Sequence, residues 1–171
     1  MAPRLHLSGA ASNGVRMNDL HDLVLTDAIA PRLTASSRRQ ALQMLAESLA
    51  KAAGLDPRAV FDAVLLRERL SGTGIGEGVA VPHARVAGVT RPIGAFARLD
   101  PAQDFDALDG RPSDLVFMLL APPDRGADHL KALARVSRFF RRAEIREKLR
   151  AARGAAELRA LFSAPLRSDA A

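Results

Sequence analysis

The chain has 171 residues, 48% of them hydrophobic and 26% charged, with a formal charge of +6 at pH 7. That is the length of one domain, with enough apolar material for a sizeable core. Cysteine is absent, which excludes disulfides, thiolate catalysis and cysteine metal sites and fits a cytoplasmic location. No apolar run approaches the roughly 18 residues of a membrane span. The opening M-A-P-R-L-H-L-S-G-A lacks the apolar stretch of a signal peptide, so membrane insertion is not expected.

Residues 1–17 show no periodicity and read as a flexible tail; a folded domain is expected over 18–163, followed by a second tail at 164–171. Leu20, Leu23, Val24, Leu25, Ile29 and Leu33, broken by Pro31, suggest a short helical turn and then an extended piece near Ile29–Leu33. Ser37 and Gln40 stand at capping-box spacing. Ala41, Leu42, Leu45 and Leu49 then form one helical face, and Gly54 sits where a glycine ends a helix. Asp56-Pro57 restarts a helix, with aspartate as the cap and proline in the first turn. Its buried stripe is Val60, Phe61, Val64 and Leu65; Glu68 continues that stripe and is expected to pair with a nearby arginine, while Arg67 falls in the last turn.

Val79–Val81 reads as a short strand. Pro92–Leu99 alternates, with Ile93, Ala95, Ala97 and Leu99 opposite Phe96 and Arg98, the pattern of a half-buried strand. Asp109-Gly110 marks a tight turn. The nearly continuous apolar run D-L-V-F-M-L-L-A at 114–121 predicts a central strand covered on both faces, closed by Pro122-Pro123. A helix opens at Ala127 or Asp128 with Leu130, Leu133, Val136 and Phe140 on one face, and two more follow over 143–152 and 155–162. Helices, then strands, then helices point to an α/β fold with a mixed sheet between helical layers.

Chemistry concentrates in R-E-R-L-S-G-T-G-I-G-E-G-V-A-V-P-H, residues 67–83. Glycine occupies every second position from Gly72 through Gly74 and Gly76 to Gly78. Each costs roughly 1 kcal/mol relative to alanine inside regular structure, so the cluster signals either left-handed turns or an anion approaching bare backbone N–H groups. Gly72, Thr73, Gly74, Gly76 and Gly78 are therefore a candidate phosphate-binding loop; Thr73 offers its hydroxyl either to phosphate or to the turn itself. Pro82 stiffens the approach to His83. A neutral imidazole nitrogen is available near pH 7 and can accept a phosphoryl group; the plainer alternative is a structural hydrogen bond at a strand end. Arg67 could grip phosphate oxygens with its forked donors or simply serve the helix dipole. His129 stands in a helical first turn, where an anion is favoured, or is an exposed residue there.

Other readings fit less well. The glycine pattern has no P-loop lysine, and the element order is the reverse of a dinucleotide fold. His83 and His129 lack metal-site spacing, and neither His6 nor His21 has a chemical context, so no metal or cofactor is expected. The arginines of 135–153 surround Phe139 and Phe140, whose helical spacing points to a core rather than to nucleic-acid binding.

The 67–83 segment resembles the active-site segment of the nitrogen-type EIIA proteins of the bacterial phosphotransferase system, within the wider fructose/mannitol-type EIIA family. The strand end L-L-A-P and the helix start D-H-L-K-A-L-A at Asp128 extend the resemblance over roughly residues 18–163. It implies a three-layer α/β/α sandwich around a mixed sheet. His83 would be the phosphorylated histidine, accepting at Nε2, with His129 as the second histidine of the site and Arg67 packed beside it. The implied phosphodonor is a nitrogen-type HPr, itself charged by an enzyme I paralogue from phosphoenolpyruvate. The implied targets are proteins such as potassium transporters or sensor kinases. Passing phosphate to a separate sugar-specific EIIB is the alternative; no EIIB or membrane EIIC segment accompanies these residues, which favours the regulatory role. Ser71-Gly72 reverses a frequent Gly-Ser order, and Ala84 stands where glycine is common.

Overall fold

The computed structural model describes residues 20–163; the expected tails and His6 lie outside them. A six-stranded mixed sheet forms the middle layer. Its centre is the antiparallel pair β5 (Ile93–Gln103) and β6 (Ser113–Ala121), with Phe96 opposite Phe117. β1 (Val24–Leu33) runs parallel along the outer edge of β5. On the other side of β6 lie β3 (Val79–Ala80) and β4 (His83–Arg85), both parallel to it, and β2 (Gly74–Gly76) pairs antiparallel with β3.

The period-two alternation of β6 divides the interior in two. Val116, Met118 and Leu120 enter one core, beneath α1 (Arg38–Ala53) and α2 (Pro57–Leu70). Leu115, Phe117 and Leu119 enter the other, beneath α3 (Gly126–Arg141), α4 (Ala143–Ala151) and α5 (Ala155–Ser163). This is the expected three-layer sandwich. The second core holds an aromatic cluster in which Phe96, Phe117, Phe139 and Phe140 gather around Phe162, with Phe96 and Phe162 centroids 5.0 Å apart in an edge-on contact.

Several local expectations need correcting. β1 begins at Val24, earlier than expected, because the turn over 21–23 leads directly into pairing with Gly94 of β5. β5 extends to Gln103 and is covered on both faces over Ile93–Ala97 rather than half-buried. Arg98 is tolerated there because its guanidinium donates to the carbonyls of Leu149, Arg150 and Ala152, oxygens that the end of α4 leaves without helical partners. At the start of α1, Ser37 Oγ accepts the Gln40 N–H at 3.0 Å as expected, but Gln40 Oε1 accepts from the N–H of Ser36, one residue earlier than in a capping box. α3 starts at Gly126, and its buried stripe is His129, Ala132, Val136, Phe139 and Phe140. Leu130 faces outward at 67% exposure. The paired phenylalanines set the rotation of the helix, and that rotation turns His129 inward in place of Leu130.

Candidate functional site

β3 and β4 behave as one strand interrupted at Val81-Pro82. The register against β6 runs on unchanged from Val79↔Leu115 to His83↔Leu119 and Arg85↔Ala121. Proline has no N–H to contribute, and across the break Leu119 N–H reaches the Pro82 carbonyl instead. Val81 turns its N–H to the Thr73 carbonyl at 3.0 Å. Its own carbonyl lies 2.8 Å from His83 Nδ1. A carbonyl only accepts, so Nδ1 carries the proton in that contact, and in the neutral ring Nε2 keeps a bare lone pair.

His129 enters from the first full turn of α3. Its ring centroid lies 5.3 Å from that of His83, with the planes inclined at 49°. The side chain is buried, and its Nδ1 has no hydrogen-bond partner among the described residues. Arg67 sits in the last turn of α2, where Nη1 donates to the Ser71 carbonyl at 2.9 Å. Burial pushes the His83 pKa below its ordinary value of 6.5, and the positive charge of Arg67 pushes it the same way. Burial also lowers His129, assisted by His83, Arg85 and Arg67. The result is a pair of neutral imidazoles beside two guanidinium groups, a setting that favours an anion without protonating either ring.

Residues 23–164 match the family described as "Phosphoenolpyruvate-dependent sugar phosphotransferase system, EIIA 2". The chain belongs to this EIIA family. It is 49% identical over 144 residues to a nitrogen regulatory protein of Bradyrhizobium diazoefficiens, covering 84% of this chain and 94% of that one. A nitrogen regulatory protein of Escherichia coli K12 is 40% identical over 128 residues, 74% of this chain and 78% of its own. Among solved structures, the nitrogen regulatory protein IIA-Ntr of Neisseria meningitidis superposes with a TM-score of 0.78 at 33% identity, over 84% of this chain and 99% of that one.

Several backbone groups of the glycine-rich segment serve the fold. Thr73 N–H and hydroxyl both donate to Glu68, at 3.1 and 2.7 Å. Gly74 N–H donates to the Phe105 carbonyl, and Glu77 N–H to Asp109 Oδ2. Gly72 packs so closely on the 105–106 backbone that a methyl group there would sit 2.5 Å from Asp106 Cβ. Gly76, Glu77 and Gly78 all take positive φ to turn the β2–β3 hairpin. The amides of Thr73, Gly74 and Glu77 are therefore not available as a phosphate cradle. The arginine expected beside Glu68 is Arg38, 3.7 Å away.

Arg85 escaped the sequence reading. It lies two residues beyond His83 on β4, hence on the same face. A methyl group added at Gly126 would lie 3.8 Å from its Nη1, which places this guanidinium at the start of α3. The two-residue spacing from His83 was the available signal, but it became readable only once His83 was known to begin a strand. His21 lies in the turn before β1.

Proposed function

We propose that this EIIA is a nitrogen-type phosphocarrier that acts in the cytoplasm. It accepts a phosphoryl group on His83 Nε2 from a phosphohistidine of an HPr-type donor, and through that charge it controls partner proteins such as potassium transporters or sensor kinases. The observation that carries the reading is the Val81 carbonyl 2.8 Å from His83 Nδ1. It fixes the proton on the inner nitrogen and leaves the lone pair on the outer one.

In the step itself, the Nε2 lone pair forms a bond to phosphorus as the donor's own N–P bond breaks, and the released electron pair returns to the donor imidazole. Little else is asked of the protein beyond holding the groups in line and stabilising the oxygens. Arg67 and Arg85 supply positive charge. His129 and the first-turn N–H groups of α3, which have no acceptor within the helix, face the same region. The product carries about two negative charges, which is what a partner would sense. Leu66 and Leu130, next in sequence to Arg67 and His129, are 65% and 67% exposed and offer an apolar border to a protein donor. The nitrogen regulatory relatives favour control of proteins over sugar transfer.

The test is intact-mass measurement after incubation with phosphoenolpyruvate, the enzyme I paralogue and its HPr. One phosphoryl adduct is expected on the wild type and none on His83→Ala. An adduct that survives His83→Ala refutes the site.

A further inference from the structure

Four polar side chains are buried among the described residues: Glu68, Thr73, Ser113 and His129. Two of them are bonded to each other, and neither has a part in the chemistry above. Glu68 is only 4% exposed, and both its oxygens are used, Oε1 by the Thr73 N–H and Oε2 by the Thr73 hydroxyl. A buried carboxylate is costly unless well bonded, so a fold that keeps one needs a reason. The bonds lead in one direction. Thr73 is held by Glu68; the Thr73 carbonyl receives the Val81 N–H at 3.0 Å; the Val81 carbonyl receives Nδ1 of His83 at 2.8 Å.

We infer that Glu68 and Thr73 are positioning residues for His83. The carboxylate clamps Thr73 through its two donors, and Thr73 in turn anchors the Val81 backbone, whose carbonyl keeps the His83 proton on Nδ1 and leaves Nε2 outward. Neither residue touches the phosphoryl group. The link to transfer rests on the phosphocarrier reading, whereas the effect on the ring's proton does not.

The two chemistries of the clamp can be separated. Glu68→Met keeps length and bulk but removes both carboxylate acceptors, so neither Thr73 donor is served. Thr73→Val keeps shape and loses the hydroxyl; Thr73→Ser keeps the hydroxyl. The experiment uses the full chain. Histidine 15N spectra report the tautomer of His83, assigned with His83→Gln, and phosphoramidate serves as a small phosphoryl donor. In the wild type His83 is expected as a single Nδ1–H tautomer. Glu68→Met and Thr73→Val should show a mixture, with the phosphorylation rate at saturating phosphoramidate lowered about tenfold, since a small misplacement of a reacting group has effects of that order or larger. Half-saturation by phosphoramidate should not move, and Thr73→Ser should match the wild type in both measurements. Thr73→Val carries the test should Glu68→Met not fold.

A folded Glu68→Met or Thr73→Val with an unchanged tautomer and rate overturns the inference. So does a Thr73→Ser protein as impaired as Thr73→Val, because the hydroxyl would then not be the element that matters. If the wild type takes up no phosphate at all, the phosphocarrier reading fails, and the 15N spectra still decide for or against the positioning.

Discussion

Replacing Gly72 by alanine separates the two jobs that a glycine-rich segment next to a histidine can do. If Gly72 is there to let the loop lie against the 105–106 backbone, a methyl group will destabilise the fold and leave the chemistry of the folded molecules alone. The new Cβ would overlap the Phe105 carbonyl oxygen and lie 2.5 Å from Asp106 Cβ and 2.9 Å from its Oδ2. Two of these neighbours are main chain or Cβ, and neither can rotate away. Overpacking of this kind costs about 1–3 kcal/mol. Alanine returns up to about 1 kcal/mol by restricting the unfolded chain, so the net loss should be about 1–2 kcal/mol. For a domain of this size that lowers Tm by roughly 3–6 °C. Gly54→Ala is the control. It sits at φ 70° with open space around it, so it reports backbone strain of about 1–2 kcal/mol without any clash. Thermal and denaturant unfolding measure both variants, and intact mass measures phosphate uptake at a temperature where each is folded. Unchanged stability in Gly72→Ala would refute the close-approach argument. A variant that folds normally yet accepts no phosphate would instead return the glycines to the phosphate site.

The remaining predictions concern charge around the imidazoles. His83 and His129 both have folded pKa values below 6.5. Above that value both states are neutral and pH has no leverage; as pH falls through it, the unfolded chain binds protons first, so stability drops until the folded values are reached. The double variant His83→Gln, His129→Gln should therefore lose less stability than the wild type between about pH 7 and about pH 5 in urea titrations, and equal losses would contradict the assigned burial. Arg67→Gln should slow phosphate acceptance from HPr by about 100-fold, the scale for removing a preorganised donor, with the wild-type fold retained by circular dichroism. Arg67→Lys should recover only part of that rate, because a point charge lacks the guanidinium fork; full recovery would mean that only the net charge matters.

Much of the architecture was legible because local signals agreed with one another. Ser37, Gly54, Asp56 and Pro57 frame two helices in plain sequence, and the short apolar run of β6, closed by Pro122-Pro123, reads as a strand with cover on both faces. The readings that failed did so where tertiary contacts decide. Leu130 has the hydrophobicity of a core residue, but the rotation of α3 is set by Phe139 and Phe140 meeting Phe96, Phe117 and Phe162, partners distant in sequence. β5 looked half-buried because Arg98 interrupts it, and nothing local announces that carbonyls from the end of α4 will surround that guanidinium. His83, His129 and Arg67 were singled out from motif, whereas the contact of His83 with Val81, and the place of Arg85, depend on a strand break that no periodicity reveals.

That break links the fold to the chemistry. Pro82 keeps its carbonyl on β6, where it meets Leu119 N–H, whereas Val81 turns its backbone to the other side; there the pairing partner ends at Thr73, and the Val81 carbonyl is left for the His83 ring. Pro82 removes one donor from the ladder, Thr73 captures the Val81 N–H, and the freed carbonyl faces the imidazole two residues on. The glycines then have a role that needs no phosphate: they bring Thr73 close enough to the interrupted strand to hold it open. Under the proposed phosphocarrier function the anion would be handled by side chains and the α3 terminus, while the loop acts on the histidine from behind. Pro82→Ala tests the point. It restores an N–H beside Val81 without adding bulk, and a His83 ring that then loses its single tautomer would show that the break, rather than the surrounding burial, selects the nucleophilic nitrogen. A ring that keeps it would show the opposite.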